Sequence, residues 1–184
     1  SFLMVVDSNV GFNKVNPRID QSITYHLDLS EPEAPRAQLT IDYVHTSTVE
    51  IEECDQSPRY DEVYEDMMDR CYFDYLRVYV PSGAALIESD GLMPGSFESY
   101  PGERNSTQVF AGFLVLSPGE EHQVRIAFRL PSINPNSDSF GLVVQKQPGT
   151  QRIPFALYHG EPAELLDATT LNIDRVFTVP LPPN

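Results

Sequence analysis

Cys54 and Cys71 are the only two cysteines of the chain, and they bracket its most acidic stretch. Set 17 residues apart, they are too far apart for a Cys-x-x-Cys redox pair, and two thiols alone do not build a structural zinc site. The choice is between a structural disulfide and two free thiols. We expect the disulfide, because it would clip one insertion, and a loop of that size gains about 3 kcal/mol from closure. Around it, residues 50–74 hold ten acidic side chains against Arg59 and Arg70. Glu62, Glu65, Asp66 and Asp69 are the candidates for an acidic or calcium-binding surface. The alternative is a solvated acidic face with no partner.

Asp7, Asn9 and Asn13 place oxygen-bearing side chains at alternate positions, like the start of a calcium loop. The glycine and the closing glutamate of such a loop are missing, with Arg18 in the latter place. The competing reading is a turn, since Asn, Asp and Gly tolerate left-handed backbone. His26, His45, His122 and His159 are scattered, with no pair at metal-ligand spacing. There is no tryptophan; Tyr72, Tyr75 and Tyr79 are the rings that can stack on a sugar. Asn105-Ser106-Thr107 matches a glycosylation sequon. No nucleophile elbow, Walker loop or dinucleotide fingerprint occurs, so no catalytic residue is assigned.

The elements that must position these residues are mostly strands. Residues 22–29, 37–43, 75–80 and 123–130 alternate apolar and polar side chains with period two, the mark of strands buried on one face. Further strands are expected at 2–7, 84–89, 108–116, 140–146, 153–158 and 170–179. Turns rich in proline and glycine, such as Val80-Pro81-Ser82-Gly83 and Ser117-Pro118-Gly119, separate them. The pattern predicts an all-β, mainly antiparallel fold, a two-sheet β-sandwich, with a closed barrel as its rival. The exception is 60–70, where Tyr60, Val63, Tyr64 and Met67 fall at helical spacing and Ser57 or Asp61 can cap the start. This short helical insertion between Cys54 and Cys71 should form a lobe outside the core. Val63 and Met67 should face the sheet, with the four acids facing water.

A chain of 184 residues with 41% hydrophobic content suffices for one domain spanning 1–184. No apolar run reaches the roughly 18 residues of a membrane span. The opening Ser1-Phe2-Leu3-Met4-Val5-Val6 has neither the length nor the basic flank of a signal peptide. It reads as the start of a strand in a domain of a longer protein. A net charge of −15 repels nucleic acid and anionic lipid, which leaves a protein or a glycan as partner and no membrane contact by this segment itself. A disulfide places the chain outside the cytoplasm.

Three segments carry a family resemblance: residues 7–16, from Asp7 to Asn16; Tyr75-Leu76-Arg77-Val78-Tyr79-Val80-Pro81-Ser82-Gly83; and Val144-Gln145-Lys146-Gln147-Pro148-Gly149-Thr150. In this order they resemble the C-terminal part of the bacterial family called domain of unknown function 4012. The resemblance spans about residue 5 to residue 150. It implies an extracytoplasmic, outward-facing domain at the cell surface, anchored through an N-terminal transmembrane helix elsewhere in the protein. It carries over no catalytic residue.

Three functions are open at this level. The first is a non-catalytic cell-surface domain serving envelope structure or partner interaction, without cofactor unless calcium binds. The second is a carbohydrate-binding module for cell-wall or exported polysaccharide. The third is an enzyme with a site of dispersed carboxylates. A concave site with convergent polar groups would favour the third, an exposed row of coplanar tyrosines the second, and a flat surface the first.

Overall fold

The computed structural model describes residues 1–58, 61–103, 106–134 and 136–181. Among these residues, twelve strands form two six-stranded sheets that face each other across one hydrophobic cluster. The first sheet takes β1 (Phe2–Val6), β4 (Tyr72–Pro81), β6 (Glu98–Pro101), β7 (Thr107–Leu116), β9 (Ser139–Gln145) and β12 (Arg175–Pro180), in the order β12-β9-β1-β4-β7-β6. The second takes β2 (Ile19–Asp28), β3 (Arg36–His45), β5 (Ala85–Asp90), β8 (Glu121–Arg129), β10 (Ile153–His159) and β11 (Glu164–Leu171), in the order β11-β10-β2-β3-β8-β5. Each position in one sheet is matched in the other by the strand next to it in sequence. Pairing is antiparallel throughout except for β1 with β9 and β10 with β2.

The alternation expected from the sequence holds. Ile23, Tyr25 and Leu27, Leu39, Ile41 and Tyr43, Leu76, Val78 and Val80, and Val124, Ile126 and Phe128 all point into the core. The core is therefore a sandwich and not a barrel: each sheet ends in edge strands, β12 and β6 in one, β11 and β5 in the other. The single strand expected over 170–179 is two strands, β11 and β12, in different sheets. Its extension back to Glu164 was hidden because most side chains of β11 are exposed, so the edge strand shows no alternation. The short β6 is hidden for the same reason.

Cys54 and Cys71 form a disulfide, with Cα atoms 5.7 Å apart. The helix between them, α1 (Tyr64–Met68), is one turn and a half, shorter than the span 60–70 suggested; Tyr60 lies outside the described residues. Neither Ser57 nor Asp61 caps it. Ser57 bonds to Asp55, and Asp61 pairs with Arg70. Met67 is buried as expected, but Val63 is half-exposed at 51%. A five-residue helix has one covered side, and Met67 fills it, so Val63 just before the first turn stays in solvent.

The lobe docks through polar contacts as well. Asp69 pairs with Arg18 at 2.9 Å, the Lys14 N–H donates to the Met67 carbonyl, and buried His45 reaches the Arg70 carbonyl with Nε2 at 2.8 Å. The Ser47 N–H approaches His45 Nδ1. That arrangement suits a neutral ring protonated on Nε2, and burial lowers the proton affinity of His45 accordingly.

Candidate functional site

The parity that fills the core also drives carboxyl groups into it. β4 points Tyr72, Asp74, Leu76, Val78 and Val80 inward. β1 points Leu3 and Val5 inward, and Asp7, one residue past its end, continues that face. Opposite them stand Tyr43 of β3 and Gln21 of β2, cross-strand partners in the other sheet. One end of the sandwich interior is thus a polar layer.

Its geometry is defined. The Tyr43 hydroxyl donates to Asp7 Oδ1 at 2.6 Å, and Gln21 Nε2 donates to Asp7 Oδ2 at 3.0 Å. The side chain of Gln147 clasps the backbone of Asp7 from both sides. Its Oε1 accepts from the Asp7 N–H and its Nε2 donates to the Asp7 carbonyl, each at 2.9 Å. Lys146 holds that loop, donating from Nζ to the carbonyls of Gln147 and Thr150 and to Thr150 Oγ1. Gly149 supplies the positive φ that the turn requires.

Asp74 lies behind Asp7 and is fully buried. Among the described residues no donor meets either of its carboxyl oxygens in good geometry, although the Tyr72 hydroxyl and the Ser8 N–H are near enough to favour its charged form and the Asp7 carboxyl near enough to oppose it. Burial, and then the charge of Asp7 beside it, push the Asp74 carboxyl up to about 8. Burial also raises Asp7, while the bonds from Tyr43 and Gln21 oppose the rise. Two adjacent carboxyl groups removed from water cannot both ionise cheaply, so the pair holds one proton near neutral pH. The phenols of Tyr43 and Tyr72 stay protonated for the same reason.

Above this layer is a half-open cleft of about 570 Å³. It exists because β10 begins pairing with β2 only at Ile23, leaving the first four residues of β2, Ile19 to Ser22, without a strand neighbour on that side. The 147–152 loop overhangs the gap. Asp7, Tyr43 and Tyr72 line its floor, Ile19 and Ile153 its apolar walls, and Asp20, Asp42 and Arg152 its charged rim.

The residues singled out in the sequence fall in three places. Asp7 joins the polar layer. Asn9 and Asn13 do not join it: Asn9 Nδ2 donates to Asn13 Oδ1 and Asn16 Oδ1, Asn9 Oδ1 accepts from the Gly11 N–H, and Asn13 Nδ2 donates to the Cys71 carbonyl. These bonds tie the turn to the start of β4. Glu62, Glu65 and Asp66 are exposed on the clipped lobe, and Asp69 is half-buried against Arg18. The three tyrosines divide by parity, with Tyr72 inside and Tyr75 and Tyr79 on the outer face of the first sheet. There Tyr75 packs on Phe113 with centroids 4.7 Å apart and planes tilted by 40°, and Arg77 sits over the Tyr75 ring. Asn105 of the sequon lies outside the described residues. Asp74, Tyr43, Gln21 and Gln147 were missed; carrying the alternation of 75–80 back by two and four residues would have turned Asp74 and Tyr72 inward.

The two outer faces differ. On the first sheet, cross-strand rows read Met4–Tyr79–Val109–Tyr100 and Val176–Val143–Phe2. On the second they read Ser22–Asp42–Gln123 and Thr24–Thr40–Arg125–Asp90. The first face is richer in aromatic and aliphatic side chains, with Arg77 and Glu98 among them and Val109 covered, and the second is polar.

No family model matches this chain, and no curated protein matches it. Among solved structures, it is similar to a crystal structure from Legionella pneumophila described as a "putative nutrient binding protein". The identity is 7%, the match covers 83% of this chain, and the TM-score is 0.43. This chain spans about half the length of that one, 52%.

Proposed function

We propose that this chain is a non-catalytic binding domain that works outside the cytoplasm at a bacterial cell surface, and that the cleft over Asp7 is where it takes a small polar ligand. The observation that carries the reading is the built floor of the cleft. Tyr43, Gln21 and the Gln147 clasp hold Asp7 from four directions beneath an opening large enough for a small molecule. Two segments of the family resemblance, 7–16 and 144–150, meet there. The disulfide supports an oxidising compartment. Among the described residues no helix is long and apolar enough to cross a membrane. Asp74 is sealed behind Asp7, and both Asp7 oxygens already accept hydrogen bonds, which favours recognition over acid–base turnover.

A second reading rests on the apolar outer face of the first sheet, which suits docking of a protein or glycan partner. One experiment separates the two. A panel of sugars and small metabolites is screened by thermal shift against the wild type, Ser22→Trp at the cleft mouth, and Tyr79→Glu on the sheet face. Binding lost only in Ser22→Trp supports the cleft. Binding lost only in Tyr79→Glu moves the site to the sheet.

A further inference from the structure

We infer that the cleft selects small organic cations, an ammonium group entering over the Asp7 carboxyl group. The inference rests on the cleft being the binding site and adds the ligand's charge and chemistry.

Four observations lead to it. The floor presents one half-buried carboxyl group, Asp7, whose oxygens accept from Tyr43 and Gln21, bond within the pair to Asp74, and keep acceptor capacity for one further donor. Behind it, Asp74 is fully buried, and among the described residues neither of its oxygens meets a well-aligned donor, its neighbours being Asp7, Tyr72 and the Ser8 backbone; a buried acid of that kind calls for a positive charge or a proton. Tyr43 and Tyr72 put two phenol rings at the same floor, and aromatic faces attract cations. Finally, the charged side chains that line the cleft are acidic in balance: Asp20 and Asp42, the latter on the outer face where it accepts from Gln123, stand against Arg152.

An organic cation fits better than a bare metal ion. The cleft is far larger than an ion, its walls include Ile19 and Ile153, and among the described residues no third carboxylate, histidine or cysteine joins the pair at metal-ligand distance. The exchange balances simply: the protonated pair and an alkylammonium ion give the bound ammonium–carboxylate complex and one proton released to buffer. The groups facing the pair are Tyr43, Tyr72, Gln21 and the Ser8 backbone; the charged groups lining the cleft above it are Asp20, Asp42 and Arg152. The two phenols remain protonated through the relevant range, so the released proton comes from the carboxyl pair. Binding should therefore strengthen as pH rises toward 8.

The test uses butylammonium chloride as probe, with sodium butyrate as an anion of equal size, glucose as a neutral solute and calcium chloride as the metal. Calorimetric titrations are run at pH 6 and pH 8, in two buffers of different ionisation enthalpy. The expected result is saturable butylammonium binding, at least 5-fold tighter at pH 8, with proton release, and no butyrate binding. Asp7→Asn should weaken it at least 10-fold. Arg152→Glu, at an exposed rim position that leaves the core untouched, should tighten it several-fold and keeps the test decisive if Asp7→Asn fails to fold. Equal binding of butylammonium and butyrate, or no response to Arg152→Glu, overturns the inference. Calcium binding without ammonium binding overturns it in favour of a metal site. Glucose binding blocked by Ser22→Trp, without any cation binding, overturns it while leaving the cleft as the binding site.

Discussion

One interior has two unlike ends, and β2 reaches both, through Tyr25 at one and Gln21 at the other. Far from the cleft, Tyr25, Phe110 and Phe128 pack ring against ring, Phe110 and Phe128 with centroids 5.5 Å apart. Near it, Asp7 and Asp74 face each other beneath Tyr43 and Gln21. The aromatic end gains from area removed from water, roughly 25 cal/mol per Å², independent of pH. The polar end gives up that stabilisation and makes its stability depend on proton supply. A sandwich meant only to be stable would carry leucines at both ends, so the polar end is where function is to be sought.

The largest expected effect breaks the aromatic end. Phe128→Ala removes a fully buried ring and should cost about 3–5 kcal/mol, measured by urea unfolding, with the same loss at pH 5 and pH 8. A loss that changed strongly with pH would mean that the two ends are not independent.

Next is the clip. Cys71 directly precedes Tyr72 and Asp74 on β4. Replacing both cysteines with serine should cost about 3 kcal/mol. Hydrogen exchange should show faster opening at the start of β4 and in the 7–16 turn, while β8 and the far half of β7 keep their protection. Uniform acceleration across both sheets would remove the distinction between the ends.

The third prediction concerns pH. The raised Asp74 carboxyl means that the native state keeps a proton which the unfolded chain has released above about pH 4. Stability is therefore full below that point and declines as pH rises toward about 8, by about 1.4 kcal/mol per pH unit where the difference is one proton. Asp74→Asn should flatten this slope, and the variant should gain on the wild type as pH rises. His45 works in the opposite sense. Its lowered proton affinity gives stability that is full above about pH 6.5 and is lost as pH falls, so His45→Gln should flatten the acid side alone. Denaturant midpoints from pH 4 to pH 9 resolve both.

The smallest effects belong to the clipped lobe. Val63→Asp changes a half-exposed side chain and should stay within about 0.5 kcal/mol. If Glu62, Glu65 and Asp66 bind calcium, the melting temperature should rise with calcium well beyond the rise at matched sodium ionic strength. Equal rises would leave a solvated acidic face, screened over a Debye length of about 8 Å.

What the chain determined by itself was periodicity. Alternating residues such as Ile23, Tyr25 and Leu27 specify one buried face without reference to anything distant, so the central strands, the sandwich and the disulfide between the only two cysteines were legible. The helix was legible in place but not in length, because one short turn is settled by what covers it. Edge strands β6 and β11 were not legible, since exposure on both faces erases alternation. The site depended on tertiary structure throughout. Asp7, Gln21, Tyr43, Asp74 and Gln147 come from five separate segments. Only strand order and register, which couple residues more than a hundred positions apart, bring them to one layer. Burial then alters the chemistry of the carboxyl groups, and burial belongs to the packed molecule, not to any stretch of its sequence.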